Sequence, residues 1–180
     1  MTVNFFKVEV VPHNPNWQNV FAIESKQIAL AFKENVLAVH HIGSTAIPQI
    51  YAKPIIDILV EVKDITQVDE QSLAIQALGY EVMGEYGIPN RRFFRKHNEA
   101  GMRTHHIHTF EVGSAHIKRH LAFRDYMISH SEDAQKYSDL KRELANKYFD
   151  DIEGYMDGKD GFIKDIESKA LEWWALQSGR

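Results

Sequence analysis

The chain contains no cysteine. That excludes disulfide scaffolds, thiolate zinc sites and cysteine nucleophiles together. No apolar run approaches the ~20 residues that cross a bilayer, so no membrane partner is expected. The N-terminus, Met1-Thr-Val-Asn-Phe-Phe-Lys, lacks the basic start and small-residue cleavage site of a secretory leader, which points to a cytoplasmic protein. Neither charge dominates, with 21 Lys and Arg against 25 Asp and Glu. Bulk attraction to nucleic acid is therefore not expected, although cations gather locally at Arg91, Arg92, Arg95, Lys96 and Arg103. Internal repeats and low-complexity linkers are also missing.

Apolar residues, by contrast, make up 44% of the 180 positions. That is enough for a core without crosslinks, and the length suits one domain over 1–180. Residues 5–11 alternate as a short strand does. His13-Asn-Pro-Asn16 is a turn and cap cluster. Trp17, Val20, Phe21, Ile28, Ala31 and Phe32 recur at helical spacing and predict a helix over 17–35. Strands are predicted at 36–42 and 55–62, the second apolar on both faces and so central in its sheet. A helix over 66–78 closes on Gly79. Strands over 80–83 and 91–96 flank a loop rich in turn formers, and 104–112 forms another strand. Helices follow at 115–129, 132–149 and 161–177. The pattern is an α+β domain, with a mixed sheet and flanking helices in 1–114 and a helical part in 115–180.

The chemistry concentrates in 41–62. Gly43-Ser44-Thr45 ends one strand, where a glycine permits a tight turn and successive amides can cradle a phosphate. The plain alternative is an ordinary strand-to-loop turn. Asp57 stands among Ile55, Ile56, Ile58, Leu59 and Val60, and an unpaired charge in a dry sheet is costly. It must face a cleft or an open end, where a carboxylate suits Mg²⁺ together with phosphate oxygens. Its plain alternative is a pair with Lys53 or Arg92. Two-metal chemistry asks for carboxylates reaching ions roughly 4 Å apart. The positions two residues either side of Asp57 are Ile55 and Leu59, and Glu61 lies about 13 Å along the strand.

The block His41-Ile-Gly-Ser-Thr-Ala-Ile-Pro with Ala52-Lys-Pro-Ile-Ile-Asp-Ile resembles the GrpB-like family, of the UPF0157 type, within the nucleotidyltransferase superfamily. So do Arg91-Arg-Phe-Phe-Arg-Lys, His105-His-Ile-His, Leu121-Ala-Phe-Arg-Asp-Tyr and Tyr137-Ser-Asp-Leu-Lys. Their order and spacing carry the likeness. It implies a polymerase-β-like nucleotidyltransferase fold, in which a Gly-Ser turn grips the triphosphate and an Asp-x-Asp strand binds divalent metal. Gly43 and Ser44 match that turn, and Asp57 matches one acid of the pair; the second acid is absent here. Some relatives are fused to a coenzyme A biosynthetic kinase, which implies a nucleotide or cofactor connection.

His106 and His108 share a strand face and can replace the missing carboxylate as metal ligands, although imidazole suits zinc or manganese better than magnesium. The alternative is a pair of hydrogen-bonded histidines. His105 points the other way, and His41 orients the turn. Lys53 is expected to neutralise phosphate, and Arg92 rather than Arg91 to clamp its oxygens. Glu81 and Glu85 are read first as surface acids and second as carboxylate donors. The resulting expectation is transfer of a nucleotidyl or phosphoryl group from a nucleoside triphosphate to a small acceptor, catalysed by Asp57, Lys53 and Arg92. Gly43, Ser44 and Thr45 hold phosphate, and Asp57, His106 and His108 hold Mg²⁺ or Mn²⁺. The other reading is an inactive nucleotide- or phosphate-binding module. Trp173 and Trp174, if exposed, favour a homodimer contact through the last helix.

Overall fold

The computed structural model describes residues 7–178. Helix α1 (Trp17–Phe32) runs into a short 3₁₀ turn (Lys33–Asn35), and strand β1 (Val36–Ile42) follows. A second 3₁₀ turn (Ser44–Ala46) leads by a loop to β2 (Ile56–Val62). Then come α2 (Ile65–Ala77), β3 (Glu81–Val82), β4 (Arg92–His97), β5 (Arg103–Glu111), α3 (Ala115–Ser129), α4 (Ser131–Lys147) and α5 (Ile152–Ser178). Helix starts follow cap chemistry: the Asp64 carboxylate accepts from the Thr66 amide, and the Ser114 hydroxyl from the His116 amide.

The sheet order is β1-β2-β5-β4-β3, with β2 and β5 parallel and the other neighbours antiparallel. The α+β class with a mixed sheet agrees with the sequence pattern. Central β2 has apolar side chains on both faces, as the run of Ile, Leu and Val requires. On one face Ile56, Ile58, Val60, Val62, Phe94 and Ile107 meet Trp17, Ile28 and Phe32 of α1 and Val68 and Ile75 of α2. On the other, Leu59 and Phe110 meet Ile117 of α3. Ile47 and Ile50, from the loop before β2, insert among the buried residues of α3, α4 and α5. That loop ties the helical part to the sheet.

Two elements differ from the sequence reading. Of the strand expected over 5–11, residues 5 and 6 lie outside the described part, and the rest makes only an isolated bridge, Val11 to Ala52. The last helix starts at Ile152, nine residues earlier than expected. Gly154, Gly158 and Gly161 lower the helical signal there, but two of them admit neighbours. A Cβ at Gly154 would stand 2.5 Å from the Tyr148 ring, and one at Gly158 2.6 Å from a Leu144 methyl. Close approach of α5 to the end of α4 overrides propensity. Trp173 and Trp174 pack partly into the helical cluster, so the exposed pair that favoured a dimer contact is not formed. Among the described residues no helix is long and apolar enough to cross a membrane.

Candidate functional site

Strand β1 ends at Ile42, directly beside Asp57 in the sheet register. Gly43 follows with φ +73° and ψ −172°, a region open essentially to glycine alone. A Cβ there would stand 2.7 Å from Asp57 Oδ2. The glycine thus serves two needs at once, the sharp turn and close approach to the acid. Thr45 braces the turn from beneath: its hydroxyl donates to Ile55 O at 3.1 Å, so it accepts from His41 Nε2–H at 2.9 Å. His41 also stacks on Phe21. Burial pushes its pKa down to about 4, with Asp57 opposing, so the ring is a neutral brace.

The parallel register sets Asp57 opposite His106 and Leu59 opposite His108. Both imidazoles therefore reach the same carboxylate oxygen, His106 Nδ1 at 3.4 Å and His108 Nε2 at 3.3 Å from Asp57 Oδ1. Burial alone would raise the Asp57 carboxyl; the contacts with His106 and His108 outweigh it and hold the acid well below the ordinary carboxylate range. His106 Nε2 is shut from solvent without a hydrogen-bond partner among the described residues. One donor atom from each of the three residues lies within 4.8 Å of the others, a spacing that suits a metal ion.

These groups open onto a cavity of about 300 Å³, lined also by Gly43, Ser44, Thr45, Lys53 and His120. Its far wall belongs to α4 and α5, which contribute Lys141, Tyr155 and Lys159. Lys141 is 1% exposed, its Nζ lacks a hydrogen-bond partner among the described residues, and it lies 4.4 Å over the Tyr137 ring. Leaving such a group unpaired costs of order 1–3 kcal/mol. Burial, then the charges of Lys159 and Lys53, push its pKa down to about 6. Burial and Lys53 bring Lys159 to about 8 against the pull of Asp57. Burial also lowers Lys53.

Of the residues singled out in the sequence, Gly43, Ser44, Thr45, Lys53, Asp57, His106 and His108 are brought to one cavity. Arg92 is not. It faces α2, on the opposite side of the sheet, and pairs with Asp69 at 2.7 Å. Arg91 takes the site side: it is buried, lies over the Phe93 ring, and directs Nη1 at His108 Nδ1 across 3.4 Å. The two arginines do alternate, but the site side belongs to Arg91 and not to Arg92, because strand period gives sides without naming them. Glu81 pairs with Arg95 and His97, and Glu85 accepts from the Asn90 amide; neither lines the cavity. His105 turns to Tyr80, away from the acid.

Lys141, Lys159 and His120 went unread in the sequence. One signal was present for Lys141. It falls on the buried stripe of α4 that also holds Ala134, Tyr137, Ser138, Leu144 and Ala145, and a lysine on an apolar stripe asks for a reason. Arg119 donates to His120 Nε2 and to Glu167, fixing the His120 ring beside His108. Burial, with the Arg119 guanidinium beside it, keeps His120 well below its ordinary pKa.

The GrpB protein family model matches residues 7–169. The chain belongs to the GrpB family. It is 44% identical over 167 residues to the UPF0157 protein YqkA of Bacillus subtilis (strain 168), covering 93% of this chain and 48% of that protein. A crystal structure of the conserved protein GrpB from Enterococcus faecalis matches with a TM-score of 0.88 and 42% identity, covering 92% of this chain and 99% of that one. A dephospho-CoA kinase of Mycolicibacterium paratuberculosis (strain ATCC BAA-968 / K-10) is 24% identical over 189 residues, covering 92% of this chain and 46% of the kinase. The chain thus spans about half the length of YqkA and of the kinase.

Proposed function

We propose that this GrpB domain is a metal-dependent transferase of the polymerase-β-like nucleotidyltransferase type, moving a nucleotidyl or phosphoryl group from a nucleoside triphosphate to a small acceptor. The observation that carries the reading is the convergence of a glycine-serine turn, the Asp57-His106-His108 trio and three lysines on one cavity. The likeness to a protein named dephospho-CoA kinase supports a nucleotide connection.

The donor set fits a divalent ion. The contacts of 3.3 and 3.4 Å are long for charge-assisted hydrogen bonds, which run about 2.7–2.9 Å. They approach the roughly 3.3 Å between ligands that each stand about 2.0–2.1 Å from a shared tetrahedral ion. One carboxylate with two imidazoles favours manganese or zinc over magnesium. Such an ion supplies charge neutralisation and polarises a phosphoryl oxygen. The protein's own groups do the positioning. Turn amides at Gly43–Thr45 and the Ser44 hydroxyl hold phosphate oxygens, and Lys53 neutralises developing charge.

One observation favours the second reading, a binding module without turnover. The guanidinium of Arg91 faces His108 Nδ1, which makes that nitrogen an acceptor and leaves the proton on Nε2, toward Asp57. Ligation through Nε2 would have to displace it. Calorimetric titration with nucleoside triphosphates, with and without Mn²⁺ or Mg²⁺, separates the readings. Transfer predicts metal-dependent affinity that falls at least tenfold in Asp57→Asn, with product formed by the wild type. Metal-independent affinity without product supports the module, and unchanged metal-dependent affinity in Asp57→Asn rules out the trio.

A further inference from the structure

We propose that the α4–α5 wall of the cavity is a subsite for the terminal phosphate of an oligophosphate, with Lys141 as its buried contact and Lys53 and Lys159 beside it. The inference rests on the reading of the cavity as a phosphate site and adds which residues take the outermost of at least two linked phosphates.

The first argument is the state of Lys141. Its amine is almost wholly buried and unpartnered, and Tyr155, beside it on the cavity wall, also has an unpartnered hydroxyl. A core position with no ligand to serve would be filled better by methionine or leucine, which have no polar group to satisfy. Nothing on α4 or α5 among the described residues supplies an acceptor to the amine.

The second argument is charge. Among the described residues, three lysines line the cavity against a single carboxylate, Asp57, and that carboxylate is engaged by His106 and His108. The groups acting on Lys141 are the Tyr137 ring of its own helix, Lys159 of α5 and Lys53 of the loop before β2. None brings a negative charge at neutral pH. In the absence of an anion the lysines repel one another, which supports a partly neutral amine at Lys141. An anion among them reverses the balance and recruits the proton.

The third argument is separation. The turn and Asp57 belong to the sheet, the lysines Lys141 and Lys159 to the helices facing it. The cavity of about 300 Å³ exceeds the ~30 Å³ of a water tenfold, leaving room for a second phosphate beyond one held at the turn. Compact ammonium groups serve as point-charge contacts for a freely rotating terminal phosphate, without the fixed fork of arginine.

The test uses the whole chain, inorganic pyrophosphate and orthophosphate, and EDTA to exclude divalent metal. Calorimetry is expected to give at least tenfold tighter binding of pyrophosphate than of orthophosphate. That affinity should fall at least tenfold in Lys141→Met and several-fold in Lys159→Gln. Ligand-free Lys141→Met should melt above the wild type, whereas a purely structural lysine would leave it melting lower. Pyrophosphate bound no better than orthophosphate, or bound equally by wild type and both variants, overturns the subsite. If Lys141→Met does not fold, the Lys159→Gln result decides alone. Metal-free pyrophosphate binding that depends on these lysines, alongside nucleotide binding that ignores metal, upholds the subsite while ending the transfer reading.

Discussion

Gly43 shows how much one residue without a side chain can determine. Its φ and ψ lie where a Cβ is strained, and the space a Cβ would take belongs to Asp57 Oδ2. Gly43→Ala is expected to cost about 1–3 kcal/mol through backbone strain, measured by urea unfolding. It should also weaken metal and nucleotide binding, because the carboxylate has to move. A Gly43→Ala protein with wild-type stability and affinity would show the turn to be a mere connector. The sequence pointed to this glycine by its position at a strand end, but the contact with Asp57 was not legible. The two are fourteen residues apart in the chain and meet only through the pairing of β1 with β2.

Among the elements, α5 makes the sharpest test. Its glycines look alike in sequence and differ in surroundings. Gly154 faces the Tyr148 ring and the Asp151 carboxylate, while Gly161 has nothing within 4 Å of where a Cβ would sit. Gly161→Ala should therefore stabilise the protein by up to about 1 kcal/mol through helix propensity. Gly154→Ala should destabilise it by about 1–3 kcal/mol, because an added methyl has to displace a ring. Thermal unfolding of the two variants should move in opposite directions; equal shifts would place α5 farther from α4. Helix and strand periodicity found nearly all the other elements within one or two residues. It shortened α5 because local propensity opposed a helix that tertiary contact sustains.

The whole molecule carries its buried bases in a way that sets its response to pH. His41 has a pKa of about 4 when folded against an ordinary 6.5. Between those values the unfolded chain binds more protons, so stability rises with pH. Lys141 has a pKa of about 6 when folded against 10.5, and the same sign holds from pH 6 upward. Above about pH 10 the phenols reverse the trend. Burial and Glu24 raise Tyr80, and burial raises Tyr137 to about 12, so the unfolded chain then loses protons first. The midpoint of urea unfolding should climb from pH 5 to about pH 9, at up to roughly 1.4 kcal/mol per pH unit for each group fully in transition. Lys141→Met should remove much of the climb above pH 6. A midpoint that stays flat from pH 6 to pH 9 would mean that the lysine keeps its charge in the fold.

From the linear order of residues alone came the α+β class, the central apolar strand, the Gly-Ser turn, the lone Asp57 and the two histidines on one face of their own strand. Each of these follows from local period, and period survives folding. Tertiary structure decided the rest: that Arg91 rather than Arg92 reaches the site, and that α4 and α5 wall the cavity with lysines. A strand's alternation leaves its two faces equivalent until helices cover one of them. A helix's buried lysine has no meaning until the sheet across from it supplies a hollow to face.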